Sequence, residues 1–400
     1  MSERRVIYVT AVLRSITTSL VGVLIGVYLA RLGLTGVELG ATISAGLVGA
    51  ALAAVVATFL GDRFGRRRFL IALAALSVLG TVAFALMSSP LGLAAAAFVG
   101  MLNGMGRDRG AALILEQAAL PGTAGARDRT QVIAWYTMLQ DIGHALGSLL
   151  AGAPTLLAAT SGLRETSAHR VALYACAAAG LAAIALYTRL GHAIESPARH
   201  VPLAVAPRSR AIITRISALF AIDSLAGGFL TTAMLSYFFF ERFGVSEAVV
   251  GVLFFGARLM NAASHLGAAW LARRIGLVNT MVFTHIPSSL LLLTVAFAPT
   301  FPIAAVLFLL REGLVEMDVP TRQSYVLAVV RPEERTFASG VTNLVRIAAW
   351  SVAPVFAGAL MTDDSMYLPL VIGAGMKIAY DLMLWRAFRG IRPPEESTPP

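Results

Sequence analysis

Charged side chains lie inside stretches of this sequence that are otherwise apolar. A charge in hydrocarbon costs about 3 kcal/mol on insertion scales, so each of these side chains needs a partner or a water-filled cavity. The pattern therefore predicts buried ion pairs and a polar cavity, the chemistry of ion pathways and proton relays. The residues concerned are Arg14, Arg107, Asp108, Arg109, Glu116, Asp141, His144, Asp223, Arg258, Asn261, His265, Arg311, Glu312, Glu316, Asp318, Arg322, Arg346, Lys377 and Asp381.

About twelve helices must position these side chains. The chain is 57% hydrophobic and 14% charged, whereas soluble proteins contain about 25% charged residues, so we expect the bilayer to be its solvent. A helix needs about 20 apolar residues to cross a bilayer. Hydropathy and loop charge predict the spans Val6–Leu32, Val37–Leu60, Phe69–Met87, Leu91–Leu120, Thr130–Ala159, Arg170–Leu190, Ala211–Phe240, Ala248–Leu271, Asn279–Ala298, Phe301–Val330, Glu334–Leu360 and Met366–Phe388.

Arginines in the loops give the orientation, because cytoplasmic loops are enriched in positive charge. Only Arg31, Arg164, Arg170 and Arg242 fall on one side. We therefore expect a multi-pass protein of the cell (inner) membrane with both termini in the cytoplasm. The arginines on the cytoplasmic side are Arg4, Arg5, Arg63, Arg66, Arg67, Arg68, Arg127, Arg129, Arg199, Arg208, Arg210, Arg273, Arg274, Arg331, Arg335, Arg389 and Arg392.

The two halves of the chain resemble each other weakly at an offset of roughly 205–211 residues, as in transporters built from repeats. This spacing predicts an N-terminal six-helix half over residues 1–190 and a C-terminal six-helix half over 211–391. Residues 191–210 read as a proline-containing cytoplasmic linker, and 392–400 as a disordered tail. The matched segments are Arg14-Ser15-Ile16 with Asp223-Ser224-Leu225, Arg129-Thr130 with Arg335-Thr336, Asp141-Ile142 with Arg346-Ile347, and Gly61–Gly65 with Ala272–Gly276.

The loop between the second and third spans carries the most specific motif, Gly61-Asp62-Arg63-Phe64-Gly65-Arg66-Arg67-Arg68. It matches the pattern Gly-Asp-Arg-x-Gly-Arg-Arg and resembles the signature loop of the major facilitator superfamily. The resemblance implies an all-α membrane protein with twelve transmembrane helices in two pseudo-symmetric six-helix bundles. It also implies a secondary active transporter that works by alternating access.

The resemblance further implies a central cavity lined by the first, fourth, seventh and tenth helices. These helices contain Arg14, Arg107 and Arg109, Asp223, and Arg311 with Glu312. Because arginines bind carboxylate and phosphate in bidentate geometry, we expect these four arginines to bind a small organic anion. Arg107 and Arg109 cannot both face the cavity, since they are about 200° apart on a helix.

We expect proton coupling at Asp223 or Glu312, and also at Asp141, whose acidic side chain lies within the fifth span. The alternative function is a drug or toxic-compound/proton antiporter. The fifth span weakens this alternative, because its Gly143-x-x-x-Gly147 is not the Gly-Pro pair typical of such exporters.

Gating is predicted from the motif loop and from two ion pairs. In the family this loop helps to lock the two halves, which implies a gating role for Gly61, Asp62, Arg63, Gly65 and Arg66. Asp62 is placed where its carboxylate can face a helix N-terminus.

Glu116 is expected to pair with Arg66 or Arg67 as a latch, and Asp141 is expected to pair with Arg258, either as a gate or as a static pair. The i,i+4 spacing predicts static pairs for Lys377–Asp381 and Asp318–Arg322.

Several classes of protein are disfavoured by what the sequence lacks. Lys377, the only lysine, is followed by Ile378, so there is no Gly-Lys-Ser/Thr of a nucleotide-binding loop. There is no His-Glu-x-x-His and no Gly-x-Ser-x-Gly, and the single cysteine, Cys176, excludes a thiolate cluster. We expect no enzyme activity, no cofactor and no metal. The net charge of +10 reflects loop arginines, so nucleic acid is not a partner; the expected partners are a small-molecule substrate, protons and membrane lipid, and we expect a monomer.

Overall fold

The computed structural model describes residues 2–123, 129–191, 194–195, 206–328, 330–331, 334–362 and 364–388, and within these ranges the chain is helical without any strand. The linker residues 192–193 and 196–205, the tail 392–400 and the side chain of Asp62 lie outside the described residues. The helices are α1 (Glu3–Arg31), α2 (Gly36–Phe64), α3 (Arg66–Leu86), α4 (Pro90–Gly100), α5 (Ala111–Ala119), α6 (Arg129–Leu150), α7 (Ala153–Ser161), α8 (Glu165–Tyr187), α9 (Pro207–Phe229), α10 (Thr232–Phe243), α11 (Glu247–Ile275), α12 (Leu277–Ala296), α13 (Phe301–Val315), α14 (Asp318–Ala328), α15 (Arg335–Leu360) and α16 (Leu368–Phe388).

The all-α membrane fold predicted from hydropathy is confirmed. Among the described residues, ten helical segments are long and apolar enough to cross a membrane, and α4 is a shorter apolar helix. The helices outnumber the twelve predicted spans because the fourth, fifth, seventh and tenth spans are each interrupted. The paired pieces are α4 with α5, α6 with α7, α9 with α10, and α13 with α14.

Two sharp turns between consecutive helices have the same backbone conformation. Gly65 joins α2 to α3 with a φ of 91°, and Gly276 joins α11 to α12 with a φ of 86°. This left-handed region is open to glycine at no steric cost. Arg66 follows the first turn, and Arg273 and Arg274 precede the second. The turns occupy matching positions in the proposed repeats.

The contacts between Cα atoms divide the chain into two units. Unit 1 contains Met1–His200, Thr231–Phe255 and Pro354–Ala359, and unit 2 contains Val201–Leu230, Gly256–Ala353 and Leu360–Pro400. The segment Thr231–Phe255 thus belongs to unit 1, although it follows the boundary at residue 211 that the repeats suggest. The division of the sequence into two six-helix halves remains a prediction.

Unit 1 is held together by close helix contacts at glycines. In α6, a Cβ at Gly143 would lie 2.8 Å from Ser15 Cβ of α1, and one at Gly147 would overlap the carbonyl oxygen of Ile16. Small residues allow helix backbones to approach in this way, and dispersion contacts then replace lipid. The side of α1 that carries the charged residue Arg14 is thereby fixed against its neighbours.

Unit 2 has an apolar core between α9, α12, α14 and α16. Phe220, Tyr325, Tyr380 and Phe388 are almost completely buried there. Phe220 and Tyr380 lie with their ring centroids 6.5 Å apart, and those of Tyr325 and Phe388 lie 5.8 Å apart. This core holds the helices from which the charged residues of unit 2 project.

Candidate functional site

The fourth span is broken by a stretch without helical structure, residues 101–110, between α4 and α5. Its backbone groups have hydrogen-bond partners within the stretch and in other elements, as non-helical backbone at membrane depth requires. The N–H of Asp108 donates to His144 Nε2 at 2.9 Å, and Asn103 Nδ2 donates to the carbonyl oxygen of Arg107 at 2.6 Å. The N–H of Ala233, at the start of α10, donates to the carbonyl oxygen of Gly104 at 3.0 Å. The breaks of the fourth and seventh spans therefore support each other within unit 1.

Arg14 of α1 is the centre of a buried cluster in unit 1. Its Nη1 and Nη2 donate to the two carboxylate oxygens of Glu116 at 2.9 and 2.7 Å, and its Nε donates to Asp108 Oδ2 at 2.5 Å. Nη1 and Nη2 also donate to the hydroxyls of Tyr187 and Tyr136 at 3.0 and 3.2 Å. These hydroxyls in turn donate to Glu116 at 2.6 and 2.7 Å. All five N–H donors of Arg14 therefore have partners.

The geometry changes the interpretation of Arg14 and corrects that of Glu116. Arg14 is a predicted anion ligand, but in this conformation none of its donors is available. The predicted pairing of Glu116 with Arg66 or Arg67 is wrong, because Glu116 is completely buried and accepts from Arg14, two tyrosines and Thr10 Oγ1. Spacing along the chain gave no sign of the tyrosines. The gating role of Glu116 remains a prediction.

Asp223 of α9 is the centre of a second buried cluster, in unit 2. Lys377 Nζ donates to its Oδ1 at 2.9 Å, Arg322 Nη1 donates to its Oδ2 at 3.2 Å, and Arg346 Nη2 lies 3.9 Å from Oδ2. Arg322 also donates to Asp318 at 2.6 Å, so the predicted Asp318–Arg322 pair is confirmed. Three cations thus share Asp223.

A chain of polar contacts extends this cluster through His285 of α12. Lys377 Nζ lies 3.3 Å from His285 Nε2, and His285 Nδ1 lies 3.0 Å from both carboxylate oxygens of Asp381. The predicted Lys377–Asp381 pair is wrong, because each of the two side chains has its partner on another helix. The place of His285 between a lysine and a carboxylate was not foreseen from the sequence.

The central ion pairs of the two units have opposite polarity at equivalent positions. Arg14 of α1 pairs with Glu116 of α5, whereas Asp223 of α9 pairs with Arg322 of α14. Asp223 follows Arg14 by 209 residues and Arg322 follows Glu116 by 206 residues, offsets within the range that the sequence repeats suggest. The pair is therefore repeated with its charges exchanged.

The remaining candidates for substrate and proton binding lie in several places. Arg311 is buried and forms an ion pair with its neighbour Glu312, which also accepts from Asn261 Nδ2 at 2.7 Å. Arg107 and Arg109 are half-buried in the irregular stretch 101–110. The structure does not bring Arg311 into the Asp223 cluster.

The predicted Asp141–Arg258 pair joins residues of different units. Asp141 is half-buried in unit 1, and Arg258 is half-buried in unit 2. The pair and its gating role remain a prediction.

The motif loop is held by a carboxylate that sequence analysis did not single out. Glu195 accepts from the backbone N–H groups of Arg66 and Arg67 at 2.7 and 3.2 Å, the favourable position for an anion at the start of α3. The Arg66 guanidinium donates to the carbonyl oxygens of Ala118 and Ile194 at 2.9 and 3.1 Å. The loop is thus fastened to the end of α5 and to residues 194–195.

Two further residues of the motif loop differ in exposure. Gly61 is buried, and a Cβ there would lie 2.6 Å from Leu115 Cδ2, so α2 and α5 approach closely at this glycine. Arg63 is exposed.

A third charged cluster, also in unit 1, lies where α1 ends and where α8 and α11 begin. Arg31, at the end of α1, forms ion pairs with Glu165 and with Glu247, and Glu247 also accepts from Thr155 Oγ1 at 2.9 Å. His169 Nε2 lies 3.5 Å from Glu247. The sequence showed Arg31 only as a loop arginine, because its partners are far away along the chain.

A pocket of about 150 Å³ lies in unit 1 beside the Arg14 cluster. It is bounded by α1, α3, α8 and the stretch from Gly100 to Ala112. Arg14 and Asp108 are the charged residues of its lining. No group of histidine, cysteine and acidic side chains suited to a metal ion is found among the described residues.

Comparisons with known proteins identify the family. The family model of the Major Facilitator Superfamily matches residues 7–346 and 216–400. The Uncharacterized membrane protein YJR124C of Saccharomyces cerevisiae is 23% identical over an alignment of 421 residues. This alignment covers 97% of this chain and 94% of the relative.

Two solved structures show the same fold at low identity. A bacterial homologue of the human lysosomal transporter Spinster is 14% identical with a TM-score of 0.76, and it covers 96% of both chains. The D-xylose-proton symporter is 15% identical with a TM-score of 0.73, again over 96% of both chains. The motif loop, the ten membrane-spanning segments of the described residues and these matches lead to one conclusion: the chain is a multi-pass membrane protein that belongs to the major facilitator superfamily of transporters.

Proposed function

We propose that this transporter moves a small organic anion together with protons, and that the Asp223 cluster of unit 2 links the two. The observation that carries the proposal is the position of Lys377. Its Nζ contacts Asp223 at 2.9 Å and His285 at 3.3 Å, while His285 contacts Asp381 at 3.0 Å. Lys377 thus connects the proposed proton acceptor, the His285–Asp381 pair, to the carboxylate of Asp223.

The charge balance of the cluster gives the coupling. Among the groups in direct contact, three cations, Arg322, Arg346 and Lys377, face three carboxylates, Asp223, Asp318 and Asp381, so these six charges balance while His285 is neutral. One proton on the His285–Asp381 pair leaves a net positive charge, which favours an anion nearby. By linkage, the anion favours protonation to the same extent.

Arg346 is our candidate for the anion ligand. Its guanidinium carbon lies 4.6 Å above the ring of Trp350, its Nε donates to Ser224 Oγ at 3.2 Å, and its side chain is 13% exposed. Stacking on an aromatic ring fixes the plane of the guanidinium, which suits bidentate binding of a carboxylate or phosphate.

The ligands predicted from the sequence enter the proposal differently. Arg14 and Arg311 would first have to leave their carboxylates, whereas Arg107 and Arg109 remain candidates. Glu312 and Asp141 remain second candidates for the proton, and the proton is proposed on His285–Asp381 because Asp223 already faces three cations.

Proton movement into proteoliposomes tests the proposal. A pH-sensitive dye is enclosed, and dicarboxylates, organic phosphates and sulfonates are added outside one at a time. We expect a transported anion to acidify the interior, and His285→Gln to exchange the anion without moving protons. Arg346→Gln should abolish both activities, and Arg346→Lys should retain part of them.

His265→Gln, at a half-buried histidine of α11, is the matched control and should behave as the parent protein. Unchanged proton movement in His285→Gln would contradict the proposed coupling.

The alternative, a drug or toxic-compound/proton antiporter, is favoured by the largely apolar pocket of unit 1. The same liposomes separate the two functions. If amphipathic cations drive protons in the opposite direction and no anion has an effect, the efflux function is correct and the anion proposal fails.

We also infer that the chain lies in the cell inner membrane as a monomer, with both termini cytoplasmic and with halves 1–190 and 211–391 that alternate access. Reporter proteins fused to either terminus test the orientation: alkaline phosphatase should be inactive at both positions, and activity at either would contradict it.

A further inference from the structure

The pocket of unit 1 lies between α1, α3 and α8, the first, third and sixth predicted spans. It is open because its walls carry small side chains, among them Ala74, Ala179, Gly180 and Ala183. Its volume of about 150 Å³ is close to that of an apolar cavity known to hold benzene. The pocket therefore has room for one small ring.

One end of this pocket is anionic. Asp108, whose side chain is 6% exposed, accepts from Arg14 Nε at 2.5 Å, Gln140 Nε2 at 3.3 Å and the N–H of Gly110 at 3.2 Å. A carboxylate offers about four acceptor sites, so one remains. Arg14, the other charged residue of the lining, has all five donors bonded inside the protein.

Arg14 is shared between two carboxylates, Asp108 and Glu116. Glu116 is fully buried among two tyrosine hydroxyls and does not line the pocket. Asp108 is therefore the carboxylate that faces the pocket.

From this geometry we propose that the pocket binds a small organic ammonium ion with an apolar ring. The ring would lie among the small side chains and the ammonium group at Asp108. The hydroxyls of Thr18, Ser77 and Thr81 also line the pocket, and within the described part of the chain they make no hydrogen bond. They are available to an N–H donor. The site lies within unit 1 and does not depend on the proposed anion transport.

Three probes of similar size that differ in charge test the site: 4-fluorobenzylamine, 4-fluorobenzyl alcohol and 4-fluorobenzoate. Their ¹⁹F resonances are titrated with the full chain in lipid nanodiscs, and empty nanodiscs correct for partition into lipid. We expect saturable binding of the amine about tenfold or more tighter than that of the alcohol, the effect of one hydrogen bond to a charged group. The benzoate should not bind saturably.

Two variants separate charge from space. Asp108→Asn should remove the preference for the amine over the alcohol. Ala74→Leu should fill the pocket and abolish binding of both, whereas Ala72→Leu, at an exposed position of the same helix, should leave both unchanged.

The proposal is overturned if the benzoate binds as tightly as the amine, if Asp108→Asn keeps the preference, or if Ala74→Leu has no effect. Binding is measured without transport, so failure of the transport proposal leaves this result intact.

Discussion

Removal of Arg14 should destabilise unit 1 more than removal of Glu116, because the two changes leave different charges behind. Arg14→Met removes the cation that Asp108 and Glu116 share, and these two side chains are only 6% and 0% exposed. Removal of one partner from a buried pair costs about 3–5 kcal/mol. Glu116→Gln leaves Arg14 with Asp108, a neutral pair, and the loss should be about 1.5–3 kcal/mol, the value of hydrogen bonds to a charged group.

A fully neutral variant separates charge from packing. Arg14→Met combined with Asp108→Asn and Glu116→Gln has no buried charge left in this cluster. Replacement of a whole buried ion cluster by neutral groups is often close to neutral in stability. We therefore expect the triple variant to be more stable than Arg14→Met alone, even though it contains two more substitutions.

The single cysteine of the chain provides the assay. Cys176 is buried in α8 of unit 1 and lines the pocket, so we expect a thiol-reactive fluorescent dye larger than this pocket to label it only when the unit opens. For a unit of 150–250 residues, 1 kcal/mol corresponds to about 2–4 °C, so Arg14→Met should open roughly 6–20 °C below the parent protein. Equal midpoints for Arg14→Met and the parent, or a triple variant less stable than Arg14→Met, would refute the reasoning.

Two other predictions use the same preparations. Gly65→Ala should lower the Cys176 labelling temperature, because Gly65 has a φ of 91° and the new Cβ would lie 3.4 Å from Glu195 Oε1; a strained alanine costs about 1 kcal/mol or more, and an unchanged midpoint would contradict this. Glu334 precedes α15 and the membrane-spanning segment Ala338–Leu360 within it, and hydrogen bonds from Ser209 and from the N–H of Ala206 lower its pKa. Its contribution to stability is therefore present above the unfolded pKa of about 4.3 and is lost as the pH falls through the lower folded value. Glu334→Gln should be less stable than the parent at pH 7, measured as the temperature of aggregation, and the difference should shrink in acid; a constant difference would exclude the carboxylate as the cause.

The fold could be predicted because each apolar segment of the chain indicates a membrane-spanning helix by its own length and composition. A bilayer requires long apolar helices, and the spans satisfy this requirement one by one. The interruptions were not predicted, since an apolar stretch such as Leu91–Leu120 has the right length whether or not it is continuous. Gly104, Gly106 and Gly110 were the available signal, and the structure shows that residues 101–110 gain backbone partners from α6 and α10.

The members of the charged clusters could be predicted, but most of their partners could not. The cost of a buried charge indicates that Arg14 and Asp223 need partners, without saying which. Glu116 lies 102 residues from Arg14, and Lys377 lies 154 residues from Asp223. Among the predicted pairs that the structure tests, Asp318–Arg322 was correct, whereas Lys377–Asp381, with the same i,i+4 spacing, was wrong. Tyrosines gave no signal, since a hydroxyl costs less to bury than a charge and tyrosine is an ordinary residue in an apolar segment.

The exchange of polarity between Arg14–Glu116 and Asp223–Arg322 has a consequence for transport. A repeat that preserves the pair and reverses the charges satisfies the same electrostatic requirement, so sequence identity between the halves can be lost while the pair is kept. The charges in direct contact then differ between the two clusters. Arg14 pairs with two carboxylates, so these three groups have one negative charge in excess. In the Asp223 cluster the paired cations and carboxylates are equal in number while His285 is neutral. Under the proposed coupling at His285–Asp381, a proton would give these groups an excess positive charge, so we expect protonation to attract an anion at the Asp223 cluster.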